Sequence, residues 1–292
     1  MGLICLIGPI FLIGPIPSYR SYVTTPPLTT QLQSGYITLV DKLYNELHGG
    51  ESLVDIYERL REELRRLAGD SMDEKVSVVS ARALTAKEAI GETGRDDYPL
   101  LKGKEAMVEA AYRGVKGHAF TDMPGGFEGT VRDVIMLPLG NNFERAVFIA
   151  TVNAVMRQAG LITGTVHCRD DEPGRCAREL VSYVRERFGN PRIAFVGFQP
   201  GMIERLSEVF QMRVLDLDED NIGKRKFGIV IEGPQATEDV LAWGDIILAT
   251  GSTCVNGSIT RFVGQKPVVF FGVSGAAVTK VMGFERYCRY PH

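Results

Sequence analysis

The sequence predicts an α/β protein in which a doubly wound parallel sheet, residues 141–292, follows a smaller α+β unit, residues 36–140. Three observations lead to this reading. The 292 residues amount to about two domains at roughly 100–200 residues each. The second half alternates short, wholly apolar runs with helical segments, as strands buried on both faces do. The first half instead groups helices, then strands, then helices.

The first sixteen residues, MGLICLIGPIFLIGPI, are strongly apolar. No positive charge precedes the apolar stretch as it would in a secretory signal. Pro9, Pro15 and Pro17 interrupt it well short of the roughly 20 apolar residues of a membrane span. The expectation is an extended arm packed on the body or a partner, or a start codon placed upstream of the true one. Residues 17–35, rich in Pro, Ser and Thr, read as a linker, so that 1–35 form an arm and linker.

From Tyr36 a helical repeat of Ile37, Val40, Leu43, Tyr44 and Leu47 runs to the break at Gly49-Gly50. Ser52 and Asp55 form a capping box, with Asp in the usual Glu/Gln place, opening a second helix. Its buried stripe is Leu53, Ile56, Tyr57, Leu60, Leu64 and Leu67, and the charged run Glu58 to Arg66 is its solvated face. Residues 75–84 (KVSVVSARAL) read as a strand, whereas 105–120 fit either element locally, with GHAF extended. Gly125-Gly126 marks a turn and Gly129 to Leu137 a short helix. Asn141-Asn142 opens a long helix to about Ala159, with Val147, Ala150, Ala154 and Val155 inward.

Helices then follow at 174–188, 200–210, 236–242, 254–263 and 275–282. Strands alternate with them at 192–197, 212–216, 228–232, 245–249 and 267–271, an order that makes this half Rossmann-like.

Composition excludes some functions. The 33 Lys and Arg against 36 Asp and Glu leave a net charge of −3, which argues against a basic nucleic-acid surface or a polybasic membrane anchor. Cys5, Cys168, Cys176, Cys254 and Cys288 are odd in number, scattered and without a CxxC pair. That speaks against a disulfide framework or a zinc ribbon and for the cytoplasm. Asn256-Gly257-Ser258 fits a glycosylation acceptor only by coincidence in that compartment.

Doubly wound sheets bind ligands outside the carboxyl ends of their strands. The turns there are Gly197-Phe198-Gln199-Pro200-Gly201, Asp216-Leu217-Asp218, Thr250-Gly251-Ser252-Thr253 with Asn256, and Gly272-Val273-Ser274-Gly275. Glycines admit backbone N–H groups to a ligand, and Ser252, Thr253, Asn256 and Ser274 add neutral donors, so the rim suits a carboxylate or phosphate. Small residues also serve such turns for conformational reasons alone. Asp216 follows Gly197 by nineteen residues, close to the roughly twenty expected for a ribose-binding acid. The glycine loop is GFQPG and not GxGxxG, and Pro200 suits a helix first turn better than pyrophosphate contact.

A second constellation, Val166 to Pro173 (VHCRDDEP), lies where the halves join, and its His167, Cys168 and Glu172 can serve ligation or acid–base chemistry. Cys176 and Cys254 read more simply as small buried hydrophobes. A third gathers Asp97 from GRDDYP, then Lys102, Lys104 and Glu105, then His118 and Asp122. These are loop polar residues with a solvating role as the simpler reading.

The stretches AVFIATVNAVMRQAGL, HCRDDEP, IAFVGFQPGMIERL, RVLDLDEDNIG, ILATGSTCVNGSI and PVVFFGVSGAA together resemble the putative heavy-metal-chelation family, domain of unknown function 364, over about 145–290. The preceding 70–140 or so is similar to the enolase-amino-terminal-like domain that accompanies it. The resemblance implies a cap and a Rossmann-like domain meeting in one cleft, with metal chelation as the proposed role. By position it implies ligand contacts from Asn153, Gly197 and its loop residues Gln199 and Pro200, Asp216, Thr250, Gly251, Ser252, Thr253, Asn256 and Ser274.

The leading expectation is therefore a small anionic ligand in the cleft, together with a divalent or soft metal on His167 and Cys168. Glu172, Asp97 or His118 would supply further ligation or acid–base groups. One alternative is an enzyme for an adenosyl or nucleotide-like substrate with Asp216 on the ribose. Another is a non-catalytic homo-oligomeric scaffold assembled through the apolar arm.

Overall fold

The computed structural model of the protein describes residues 52–73, 79–264, 266–290 and 292. The expected apolar arm, the linker and the helix from Tyr36 lie outside these residues.

Helix α1 (Leu53–Ala68) begins where the sequence places it. Ser52 Oγ accepts the Asp55 N–H at 3.1 Å, and Asp55 Oδ2 accepts the Ser52 N–H at 3.2 Å. Four strands then make an antiparallel sheet in the order β3-β2-β1-β4: β1 (Val79–Leu84), β2 (Ala106–Tyr112), β3 (Val115–Thr121) and β4 (Phe127–Gly129). Short helix α2 (Ala86–Ile90) separates β1 from β2. The segment that fits either element locally is thus a hairpin. Its two-residue loop, Arg113-Gly114, has φ of 50° and 80°, the doubly left-handed turn that matches strand twist. The helix expected from Gly129 is shorter, α3 (Val131–Ile135), because Gly129 still pairs with Val79 in the sheet.

Helix α4 (Asn142–Gln158) is capped by Asn141, whose Oδ1 accepts the Glu144 N–H at 2.9 Å. The inward stripe expected of it proves too narrow, because every residue from Ala146 to Met156 is buried. One side lies on β2 and β3, and other sides meet α1 and the helices of the parallel sheet. Gly117 permits the approach: a Cβ there would stand 2.3 Å from Ala150 O. A helix enclosed on all sides carries little amphipathic signal in its sequence.

The second sheet runs β11-β10-β9-β5-β6-β8-β7, parallel except at β7. Its strands are β5 (Ile193–Val196), β6 (Met212–Leu215), β7 (Arg225–Lys226), β8 (Ile229–Glu232), β9 (Ile246–Thr250), β10 (Val268–Phe271) and β11 (Glu285–Tyr287). Between them lie α5 (Glu172–Phe188), α6 (Pro200–Ser207), α7 (Thr237–Trp243), α8 (Thr253–Asn256) and α9 (Ala276–Met282). Both faces are buried, as expected. Ala194 and Val196 join the core shared with α1 and α4, while Ile193 and Phe195 join a second core with α5 and α6. The helix expected at 254–263 ends after Asn256, because Gly257 turns left-handed at φ 82°, and a 3₁₀ turn takes up Ile259–Phe262. Strands β7 and β11, too short to stand out as apolar runs, complete the two edges.

Leaving the edge strand β7 aside, chain order runs outward from β5 through β6 to β8, then returns to the other side of β5 for β9, β10 and β11. The direction of winding therefore reverses between β5 and β9, which opens a crevice beyond their carboxyl ends.

Candidate functional site

A cavity of about 440 Å³ occupies that crevice. Its floor is formed by the turns after β5, β6, β9 and β10. The opposite wall comes from the segment Tyr98–Glu105, the end of β3, and the His167-Cys168 loop. The lining is mainly apolar, with Tyr98, Phe120, Leu215 and Phe271 among it.

Of the residues named from the sequence, Gly197, Gln199, Asp216, Thr250, Gly251, Ser252, Thr253, Asn256, Ser274, His167 and Cys168 all line this one cavity. At the reversal point, Gly197 has φ 94°, and a Cβ there would lie 2.6 Å from Thr250 Cγ2. Ser274 Oγ accepts the Phe120 N–H at 2.9 Å, joining the last turn to the end of β3.

Five others do not line it. Asn153 is fully buried as a cross-link: Nδ2 donates to His118 O at 3.0 Å and Val273 O at 3.2 Å, and Oδ1 accepts the Ala277 N–H at 2.8 Å. Pro200 is buried at the first position of α6, where a missing N–H costs nothing. Asp97 is held by Arg95, which also reaches Glu204 on α6. Glu172 accepts the Arg169 N–H at 2.9 Å and pairs with His292. His118 is buried beneath the site, with Nε2 3.0 Å from Glu109 Oε2. His118 and Lys116 together hold the Glu109 carboxyl down to about 2.

His167 does face the cavity. Its Nδ1 hydrogen-bonds Cys168 O at 2.6 Å, and its ring stands edge-on to Phe120 at 5.4 Å. Burial pushes its pKa down to about 4, so the imidazole is neutral at pH 7. Three thiols share this wall: Cys168, Cys176 and Cys288. Cys288 arrives because Val166 and His292 exchange backbone hydrogen bonds at 2.9 Å, tying the chain end to the His167 loop. Burial raises all three thiols, Cys176 to about 11, and neighbouring thiols add to the rise at Cys168 and Cys176.

Of the acidic groups in the cavity, the sequence singles out Asp216 as a ligand contact, whereas it presents Glu105 and Asp122 as solvated loop residues. Glu105, Asp122, Asp216 and Asp218 all line the cavity. Burial, then repulsion from Asp216, Asp122 and Asp218, pushes Glu105 up to about 7. Asp216 is raised as well, chiefly by burial. Its Oδ1 accepts the Leu217 N–H and its Oδ2 the Asn221 side-chain amide, both at 2.7 Å, and the Asp218 backbone is a further partner, which leaves acceptor capacity for a ligand. The cavity's two cationic residues are already paired: Lys104 with Asp218 and Asp220, and Arg261 with Glu238. Within KGKEAMV, Glu105 looks like any solvated loop residue, and only the opposing turns reveal its setting.

Residues 180–283 match the DUF364 family model, "Putative heavy-metal chelation". The resemblance read from the sequence holds there, within the Rossmann-like half. The enolase-amino-terminal-like label for the preceding residues rests on that resemblance alone. Two solved structures of DUF364 proteins of unknown function are similar to this chain. One, from Pyrococcus horikoshii, has 16% identity and a TM-score of 0.47, covering 75% of this chain and 79% of that one. The other, from Desulfitobacterium hafniense DCB-2, has 13% identity and a TM-score of 0.42, covering 61% and 72%. No curated protein matches.

The DUF364 description raises the question of a metal. Among the described residues, no three His, Cys, Asp or Glu side chains come together closely enough to hold one. The His167-Cys168 wall as arranged does not fit a chelated ion. No described helix is long and apolar enough to cross a membrane.

Proposed function

We propose that this protein binds a small nucleoside-like ligand in the cavity, an apolar, flat body bearing vicinal hydroxyls, with Asp216 accepting from the hydroxyls. The observation that carries this is the position of Asp216. It is a half-buried carboxylate just past the strand next to β5, facing an apolar cavity at the point where the sheet reverses its winding. Gly197 and Thr250, packed against each other at the reversal, leave a smooth floor against which a flat group can lie.

The charge on the walls favours hydroxyls over the free anion that the glycine-rich turns suggest. Four carboxylates line the space, and both cations are already paired. The first turn of α6 is also partly satisfied from within. Gln199 Oε1 accepts the Met202 N–H, and Pro200 has no N–H to offer.

Calorimetric titration of the full chain with adenosine and with 2′,3′-dideoxyadenosine tests this reading. Adenosine is expected to bind more tightly, and Asp216→Asn to weaken adenosine by about 1–3 kcal/mol without weakening the dideoxy analogue. Equal binding of the two nucleosides by the parent protein would remove Asp216 from this role.

A further inference from the structure

We infer that the ligand of this cavity carries an organic cation, of the ammonium class, which sits against Glu105. The inference takes its site from the nucleoside-like reading above and adds the charge of the ligand to it.

Each of the other carboxylates on the wall has a partner: Asp216 has Asn221 and the Leu217 N–H, Asp122 has Asn142, and Asp218 has the Asp220 N–H and Lys104. Glu105, immediately ahead of β2, has none among the described residues, although protein surrounds it and what surface it keeps lines the cavity. A carboxylate placed this way is costly unless something answers its charge. The nearby cations are already engaged, Lys104 by Asp218 and Asp220 and Arg261 by Glu238. Burial, and then repulsion from Asp216, Asp122 and Asp218, pushes Glu105 up to about 7. The missing counter-charge is the ligand's to bring.

The rest of the lining says which kind of cation. A hydrated metal ion wants several oxygen ligands at one point, and no such group of three forms among the described residues. Tyr98, Leu100 and Phe120 instead add apolar and aromatic surface to the same cavity. That surface suits the carbon atoms bonded to an ammonium, and aromatic faces attract the cation itself.

The test is calorimetry on the full chain at pH 7 with adenosine, 5′-amino-5′-deoxyadenosine, adenosine 5′-monophosphate and benzylamine. The three nucleosides share one body and carry a neutral, positive and negative 5′ group, and benzylamine supplies a cation without a nucleoside. The amine nucleoside is expected to bind about tenfold or more tightly than adenosine, and the monophosphate most weakly. Binding of the amine should release a proton from Glu105, read by repeating the titration in buffers of different ionisation enthalpy. Glu105→Gln should abolish both the preference for the amine and the proton release. Should that variant misfold, the charge preference and proton release of the parent protein decide alone.

The two readings fail separately. If the nucleosides bind without preference for the amine, the cation inference falls and the nucleoside reading stands. If benzylamine binds with proton release while no nucleoside binds, the nucleoside reading falls and the cation inference stands. If nothing binds, both fall.

Discussion

His118 accepts the backbone N–H of His167 at its Nδ1, 3.2 Å away, so one histidine is a buried prop for the other. Because Nδ1 accepts, the imidazole proton resides on Nε2 and points at Glu109. Replacing the ring removes the acceptor under the His167 loop and opens a void between β3 and that loop. His118→Ala is expected to cost about 2–4 kcal/mol in urea denaturation. A loss below about 0.5 kcal/mol would show that the loop holds itself.

Glu105 sets a pH dependence whose sign can be worked out. Its pKa rises from the ordinary 4.5 to about 7 in the folded protein. Between those values the folded state binds more protons than the unfolded one. Its contribution therefore favours folding at acid pH and is lost as pH rises through 7. Glu105→Gln should thus be more stable than the parent at pH 8 by roughly 1–3 kcal/mol, with the difference vanishing toward pH 4.5. His167, pushed down to about 4, has the opposite trend, losing stability as pH falls from 6.5, and it cancels in the comparison. Paired thermal melts across pH 4.5–8 read the result, and a difference that does not grow with pH would contradict the placement of Glu105. A variant that folds more tightly while binding the amine less well is what a strained binding group predicts.

The contact of Gly197 with Thr250 predicts a coupling between them. Gly197→Ala meets both a left-handed φ of 94° and the Thr250 methyl at 2.6 Å, and should cost about 2–4 kcal/mol. Thr250→Ser removes that methyl but not the backbone strain. In the serine background the alanine should cost about 1 kcal/mol less. Additive costs in a four-protein denaturation cycle would mean that the two turns do not meet as described.

The chelation role implied by the family resemblance can be tested at its proposed ligands. His167 turns one nitrogen to Cys168 O, and among the described residues no third His, Cys, Asp or Glu joins the pair closely enough to complete a metal site. The double variant His167→Ala, Cys168→Ser is therefore expected to bind zinc within about twofold of the parent in competition with a chromophoric chelator. A drop of more than about tenfold would restore these two residues as ligands and require the wall to rearrange.

Much of the scaffold was legible because its signals are local. The Ser52–Asp55 capping box, the Asn141 cap and the apolar strands at 193–196, 212–215, 246–250 and 268–271 each announce themselves within a few residues. Where local signals conflict, the sequence leaves the element open. The 106–121 hairpin depends on a left-handed Arg113, and α4 lacks a stripe because it is buried all round.

The sequence by itself determined the strand-and-helix order, and hence the rim on which Gly197, Asp216, Thr250 and Ser274 meet. Connection order in a doubly wound sheet places strand ends together whatever the side chains are. Tertiary structure alone decided which polar residues face that rim. Asn153, Asp97, His118 and Glu172, which looked like chemistry, became struts, while Glu105, which looked like solvated loop, became the unpaired charge. The physical reason is that a titratable group acquires its role from what surrounds it, burial and neighbouring charge, and those neighbours come from segments far away in the chain.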